Sequence, residues 1–230
     1  MANVARGIAM LAAGLVADLL CSVLTVTQLV LFSSSTLMGV VSNVVQVFAT
    51  TLLLVGLFYL QPLSRHFATS YRWWVAQLVL YLVLVVVASL PLASPSPAAA
   101  KKDLVNSVAC TLVSIAVWYL LGLFAKREML LGTGIALEAL GAPRCEQDRV
   151  HSTSKLVVTS SALLSASLFA LVPVLVLLDP HAEQASVPLV FGGLAAVTSL
   201  AVSVVLAFVA DTRAIARVQT LLAVFVEVTR

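Results

Sequence analysis

Between Arg6 and Arg65 the chain carries a single charged residue, Asp18. A continuous helix from Ile8 to Leu60 would be about 80 Å long at 1.5 Å per residue. A bilayer's hydrocarbon core is roughly 30 Å thick. The run therefore folds back on itself, and the only turn-like cluster inside it is Ser33, Ser34 and Ser35, followed by Gly39. The expected result is a hairpin of two spanning helices, at about 8–32 and 36–60.

Composition points to the same solvent. The chain is 61% apolar and 10% charged, with a mean hydropathy of +1.10. A soluble domain is about 45–50% apolar and about 25% charged. Too little charge remains to cover a surface in water. A disulfide scaffold, a disordered tail and a nucleic-acid binder are excluded, since the net charge is only +3. In lipid the backbone must satisfy its own hydrogen bonds, so helices or a closed barrel are the choices. Barrel strands alternate over about ten residues, and the apolar runs here do not alternate. The expected fold class is all-α.

Four more spans follow, at about 73–93, 104–124, 156–178 and 188–210, with Pro188 suited to a first helical turn. The transmembrane domain would occupy 1–210, with an inner loop at 125–155. Eleven of the thirteen basic residues fall on one side of this scheme, and only Lys101 and Lys102 on the other. The positive-inside rule puts both termini in the cytosol, or in the matrix for a protein of the mitochondrial inner membrane. Tyr59, Tyr71, Trp73, Trp74, Trp118 and Tyr119 gather at the same interface, where amphipathic rings settle. Residues 211–230 form an amphipathic C-terminal helix, with Ile215, Val218, Leu222 and Phe225 on one face. It either lies on the membrane or extends helix six.

The chemistry-bearing residues are few. Cys21, Cys110 and Cys145 make neither a disulfide framework nor a metal pair, and His66, His151 and His181 are isolated. Gly132-Thr133-Gly134 lacks the preceding strand that a phosphate loop requires. Lys126 and Arg127 suit the C-terminal end of helix four, where cations favour the helix dipole. No catalytic set, cofactor or metal is expected.

Asp18 is the exception, because an acid within a span defaults to a functional hypothesis. Asp18, Cys21, Thr25 and Gln28 share one helix face, and Asn43, Gln46 and Thr50 share another. Folding at Ser34 sets Asp18 level with Thr50 and Thr25 level with Asn43. Two readings stay open. The seam handles protons or ions with Asp18 titrating, or it is interhelical glue at about 0.6 kcal/mol per hydrogen bond. Low dielectric favours the neutral form of an isolated acid, and no basic residue within a span offers itself as a partner.

Gly192, Ala195, Ala196, Ser199, Ser203 and Ala207 line helix six with small residues, which let helix backbones approach closely. With short loops and no catalytic motif, the leading expectation is a non-catalytic subunit of a larger membrane complex, such as a respiratory or other energy-transducing one. Its partners would be the lipid bilayer and other membrane protein subunits, with no nucleic acid. The alternative is a small proton- or solute-conducting transporter or channel built on the Asp18 seam.

Overall fold

The structure, a computed structural model, describes residues 2–31, 36–89, 97–177 and 187–229. Among these residues there is no strand. Six helices follow one another: α1 (Ala2–Leu31), α2 (Thr36–Leu60), α3 (Arg65–Ser89), α4 (Pro97–Ala139), α5 (Arg144–Leu177) and α6 (Val187–Thr229). Among the described residues, four segments are long and apolar enough to cross a membrane: Ala2–Leu24, Val40–Leu63, Arg144–Leu171 and Phe191–Thr229. The serine cluster expected to turn the first hairpin lies outside the described residues.

Each helix packs on the next, and α6 returns to α1, which closes the bundle into a ring. One core draws on all six helices. Leu11 and Leu15 come from α1, Leu53 and Leu57 from α2, Trp74 from α3, Met129 from α4, Val157 from α5 and Val218 from α6. The outer surface is apolar as well. Val44, Phe48, Phe58, Leu82, Phe191 and Val205 are all exposed, as expected of a surface that meets lipid rather than water.

Helices α1 and α2 touch backbone to backbone. A Cβ built on Gly56 would lie 2.7 Å from the Leu11 backbone nitrogen and 2.8 Å from the Gly7 carbonyl oxygen. A Cβ on Gly14 would lie 2.8 Å from Leu53 Cγ. Glycine is required at these positions because backbone meets backbone, with no room for a side chain between.

Residues 125–155, expected as an inner loop, are helical except for a short turn. Helix α4 continues to Ala139, and α5 begins at Arg144. Apolar residues recur on one helical face through this segment, and Met129, Leu130, Leu137 and Val150 are buried. Helix α4 ends in a Schellman motif. Gly141 takes the left-handed conformation at φ 73°, the Ala142 amide donates to the Leu137 carbonyl at 2.9 Å, and the Gly141 amide donates to the Glu138 carbonyl at 2.9 Å. Pro143 then precedes α5, whose Glu146 accepts from Arg217 on α6 at 2.9 Å. Gly132, read as part of a weak glycine motif, lies against the Phe67 ring.

The C-terminal segment extends α6 without a break, so Asp211 sits within a helix. Of the apolar face expected there, Ile215 and Val218 are buried, beside Ala214 and Leu221, while Leu222 and Phe225 are half-buried. The small-residue face of α6 divides along its length. Ser203 and Ala196 are buried, and Ala207 is half-buried. Ser199 Oγ lies 2.8 Å from Ser167 Oγ on α5. Gly192 and Ala195 are exposed, and nothing approaches Gly192. There the face opens into a shallow apolar groove bordered by Leu163, Phe191, Leu194 and Val202.

Candidate functional site

Asp18 lies on α1, three residues beyond Leu15 on the buried side of the helix, and is 5% exposed. It is not an isolated acid. Lys126 on α4 places its Nζ 3.0 Å from Asp18 Oδ2 and 2.8 Å from Asp211 Oδ1 on α6. One ammonium thus joins two carboxylates from different helices. The side chains of Lys126 and Asp211 are 14% and 15% exposed. Neither residue stood out as part of an interior site, because Lys126 lies two residues beyond the expected end of helix four and Asp211 one beyond that of helix six. Both helices continue, and the expectation that no base could partner Asp18 is corrected by Lys126.

Helix α2 supplies the amide side of the site. Gln46 Nε2 is 3.4 Å from Asp18 Oδ1 and 3.3 Å from Thr50 Oγ1. Thr50 donates to the Gln46 carbonyl at 2.9 Å. One turn away, Cys21 Sγ is 3.4 Å from the Ser42 carbonyl oxygen and 3.6 Å from Ser42 Oγ. Across the hairpin the Asp18 side chain meets Gln46 and that of Cys21 meets Ser42, while the backbones touch at Leu11–Gly56 and Gly14–Leu53. Of the predicted seam, the structure brings Asp18, Gln46 and Thr50 together. Asn43 faces outward and is exposed, because α2 turns its Ser42–Gln46–Thr50 side to α1. The side chains of Thr25 and Gln28 lie outside the described residues.

Tyr119 stands one heptad before Lys126 on the same face of α4. Its phenol is within electrostatic reach of Lys126, Asp18, Asp211 and Cys21. The nearby carbonyl groups of α4 are also engaged: Ser70 Oγ donates to the Ala125 carbonyl at 2.8 Å, and Gln77 Nε2 donates to the Trp118 carbonyl at 3.3 Å. A polar contact, His66 Nδ1 to Glu128 Oε2 at 2.8 Å, ties the start of α3 to α4.

The arrangement is suited to charge exchange. Both carboxylates and the ammonium are excluded from most solvent, where Coulomb interactions are strong and unpaired charge is costly. When all three groups are ionised, the site holds one more negative charge than positive. Protonating one carboxyl balances it. Among the described residues no group of three His, Cys, Asp or Glu side chains could hold a metal ion. Comparison with known proteins finds no matching family model, no matching curated protein and no matching solved structure.

Proposed function

We infer that the chain is a polytopic membrane protein that passes protons, or a small solute coupled to them, with Asp18, Lys126 and Asp211 as the exchange site. The observation that carries this reading is the buried ammonium shared by two carboxylates. Ion pairs serving only to hold helices together do not need a surplus acid, and a surplus acid in low dielectric calls for a proton. Lys126 occupies the place a cation would take between the carboxylates, which favours the proton as the exchanged ion. Asp211 is the more accessible acid and faces the end of the bundle rich in Lys and Arg. Asp18, held by Gln46, is the deeper one. Proton uptake at Asp211 weakens its hold on Lys126 and leaves the ammonium to Asp18.

Six spans with both termini on the inner side supply the frame. At 43 residues each, α4 and α6 would be about 64 Å long, twice the hydrocarbon thickness. Their excess holds Arg127, Glu128, Arg213 and Arg217 and belongs in the inner compartment. Cys145 is exposed at the start of α5, whereas Cys21 is buried. A membrane-impermeant maleimide should label Cys145 in inside-out vesicles and leave it unlabelled in right-side-out ones. Labelling in right-side-out vesicles alone would invert the topology.

The functional test is proton flux in vesicles containing the purified protein under an imposed pH gradient. Wild type should dissipate the gradient, and Asp18→Asn should reduce the rate at least about tenfold, a barrier change of roughly 1.4 kcal/mol. Equal rates in the two proteins would remove Asp18 from the mechanism. A second reading, a non-catalytic subunit of a larger membrane complex, is favoured by the uncovered groove between α5 and α6. Under it, the protein extracted in mild detergent migrates with larger partners, and protein-free and protein-containing vesicles hold a pH gradient equally well.

A further inference from the structure

A polar stripe on α3 takes no part in the site described above. Trp74, Gln77 and Tyr81 are spaced i, i+3 and i+7, so they share one helix face. Trp74 and Gln77 are 1% and 4% exposed. Trp74 Nε1, Gln77 Oε1 and the Tyr81 hydroxyl are shut off from the surface, and none has a hydrogen-bond partner among the described residues. Three unsatisfied polar atoms on one face are unusual, since buried polar atoms nearly always find a partner in protein or ordered water. Leaving each of them bare costs about 1–3 kcal/mol.

Their position relates them to the exchange site. Cys21 lies one turn beyond Asp18 on α1, away from the N-terminal end. It is within electrostatic reach of both Tyr81 on α3 and Tyr119 on α4. Tyr119 in turn reaches Asp18, Lys126 and Asp211. Along each helix these groups step the same way from the charged triad, towards the end of the bundle opposite Gly141. Gln77 holds its amide nitrogen on the Trp118 carbonyl, which leaves its oxygen as an acceptor beside α4.

We propose that the Trp74–Gln77–Tyr81 face of α3 binds a short file of ordered water that continues the proton path from the triad towards the outer side. The donor and acceptor types fit this use. An indole N–H can only donate and the free amide oxygen only accept, so Trp74 and Gln77 anchor water. A phenol hydroxyl both donates and accepts, so Tyr81 relays. A buried water makes two to four hydrogen bonds, and this face offers the partners. In each transfer an oxygen accepts one proton and releases another to its neighbour. No bond other than O–H is made or broken, and no electrons move.

This inference rests on the proton reading, and Tyr81→Phe separates the two. The substitution keeps the ring and removes a hydroxyl that has no hydrogen-bond partner among the described residues, so the thermal midpoint in detergent should match or exceed that of wild type. Proton flux should nonetheless fall about tenfold or more. Wild-type flux that Tyr81→Phe leaves unchanged, with Gln77→Met equally silent, overturns the water file and spares the triad. Absence of flux in wild type rejects the proton reading itself. Hydroxyl-radical footprinting then decides on the water alone. Modification of Trp74 at a rate above that of another fully buried aromatic, Phe67, supports bound water. Protection equal to that of Phe67 rules it out.

Discussion

Replacing Lys126 with Leu should destabilise the protein more than any other single change at the charged site. It leaves Asp18 and Asp211 facing one another with no cation between them. Breaking a buried ion pair by removing one partner typically costs about 3–5 kcal/mol, because the remaining charge is left uncompensated. Here two charges remain, so the cost should sit at or above that range unless both carboxyls take up protons. Asp18→Asn should cost much less, since it leaves a one-to-one pair between Lys126 and Asp211 and keeps a hydrogen-bonding side chain beside Gln46. The triple variant Asp18→Asn/Lys126→Leu/Asp211→Asn should recover most of the stability lost in Lys126→Leu, as neutral replacement of a whole buried network often does. Thermal unfolding in detergent, followed by size-exclusion recovery, gives the order. A Lys126→Leu midpoint no lower than that of Asp18→Asn would mean that the ammonium does not compensate the two acids.

The second large effect should come from adding one methyl group. Gly56→Ala places a Cβ at 2.7 Å from the Leu11 nitrogen and 2.8 Å from the Gly7 oxygen. Both are main-chain atoms, so no rotamer change relieves the clash and α1 must move away from α2. Overpacking of this kind costs about 1–3 kcal/mol. It also displaces Asp18 relative to Gln46, so proton flux should fall together with stability. Gly134→Ala is the control. Its Cβ would meet only Val150 Cγ1 at an ordinary 3.4 Å. Alanine in place of glycine in a helix interior gains about 0.5–1 kcal/mol, so that variant should be slightly more stable than wild type. If Gly56→Ala and Gly134→Ala have the same midpoint, the close α1–α2 approach is not what holds the hairpin.

How much of this was legible in the sequence depends on what each residue's neighbours in the chain reveal. The all-helical class followed from apolar runs too long for strands, and the first hairpin from a run too long for one crossing. Asp18 stood out because no other charge lies near it in sequence. Lys126 and Asp211 did not, because each sits where an apolar run gives way to polar residues. A charge there reads as the end of a span, and helix continuation past it depends on tertiary burial that chain-local hydropathy does not report. Met129, Leu130 and Leu137 carried that signal: their spacing sets an apolar face within the charged 125–155 segment. Gln46 reaches Asp18 because of which side of α2 is turned to α1, since the backbones touch at Leu11–Gly56 and Gly14–Leu53, close to the register in which Asp18 lies level with Thr50. Asn43 is exposed for a related reason, since its side of α2 is not the one that Ser42, Gln46 and Thr50 turn to α1. Of the α3 stripe only Trp74 read as an interfacial aromatic, and only the absence of hydrogen-bond partners among the described residues marks out Trp74, Gln77 and Tyr81 together.

The central claim is that three buried charges from α1, α4 and α6 carry protons and do not merely bind the helices together. Proton flux of the triple variant Asp18→Asn/Lys126→Leu/Asp211→Asn in vesicles, measured beside wild type at equal protein density, tests it most directly, because that variant should remain folded. Wild type should collapse an imposed pH gradient while the triple variant holds it as protein-free vesicles do. A folded triple variant that dissipates the gradient at the wild-type rate would contradict the account.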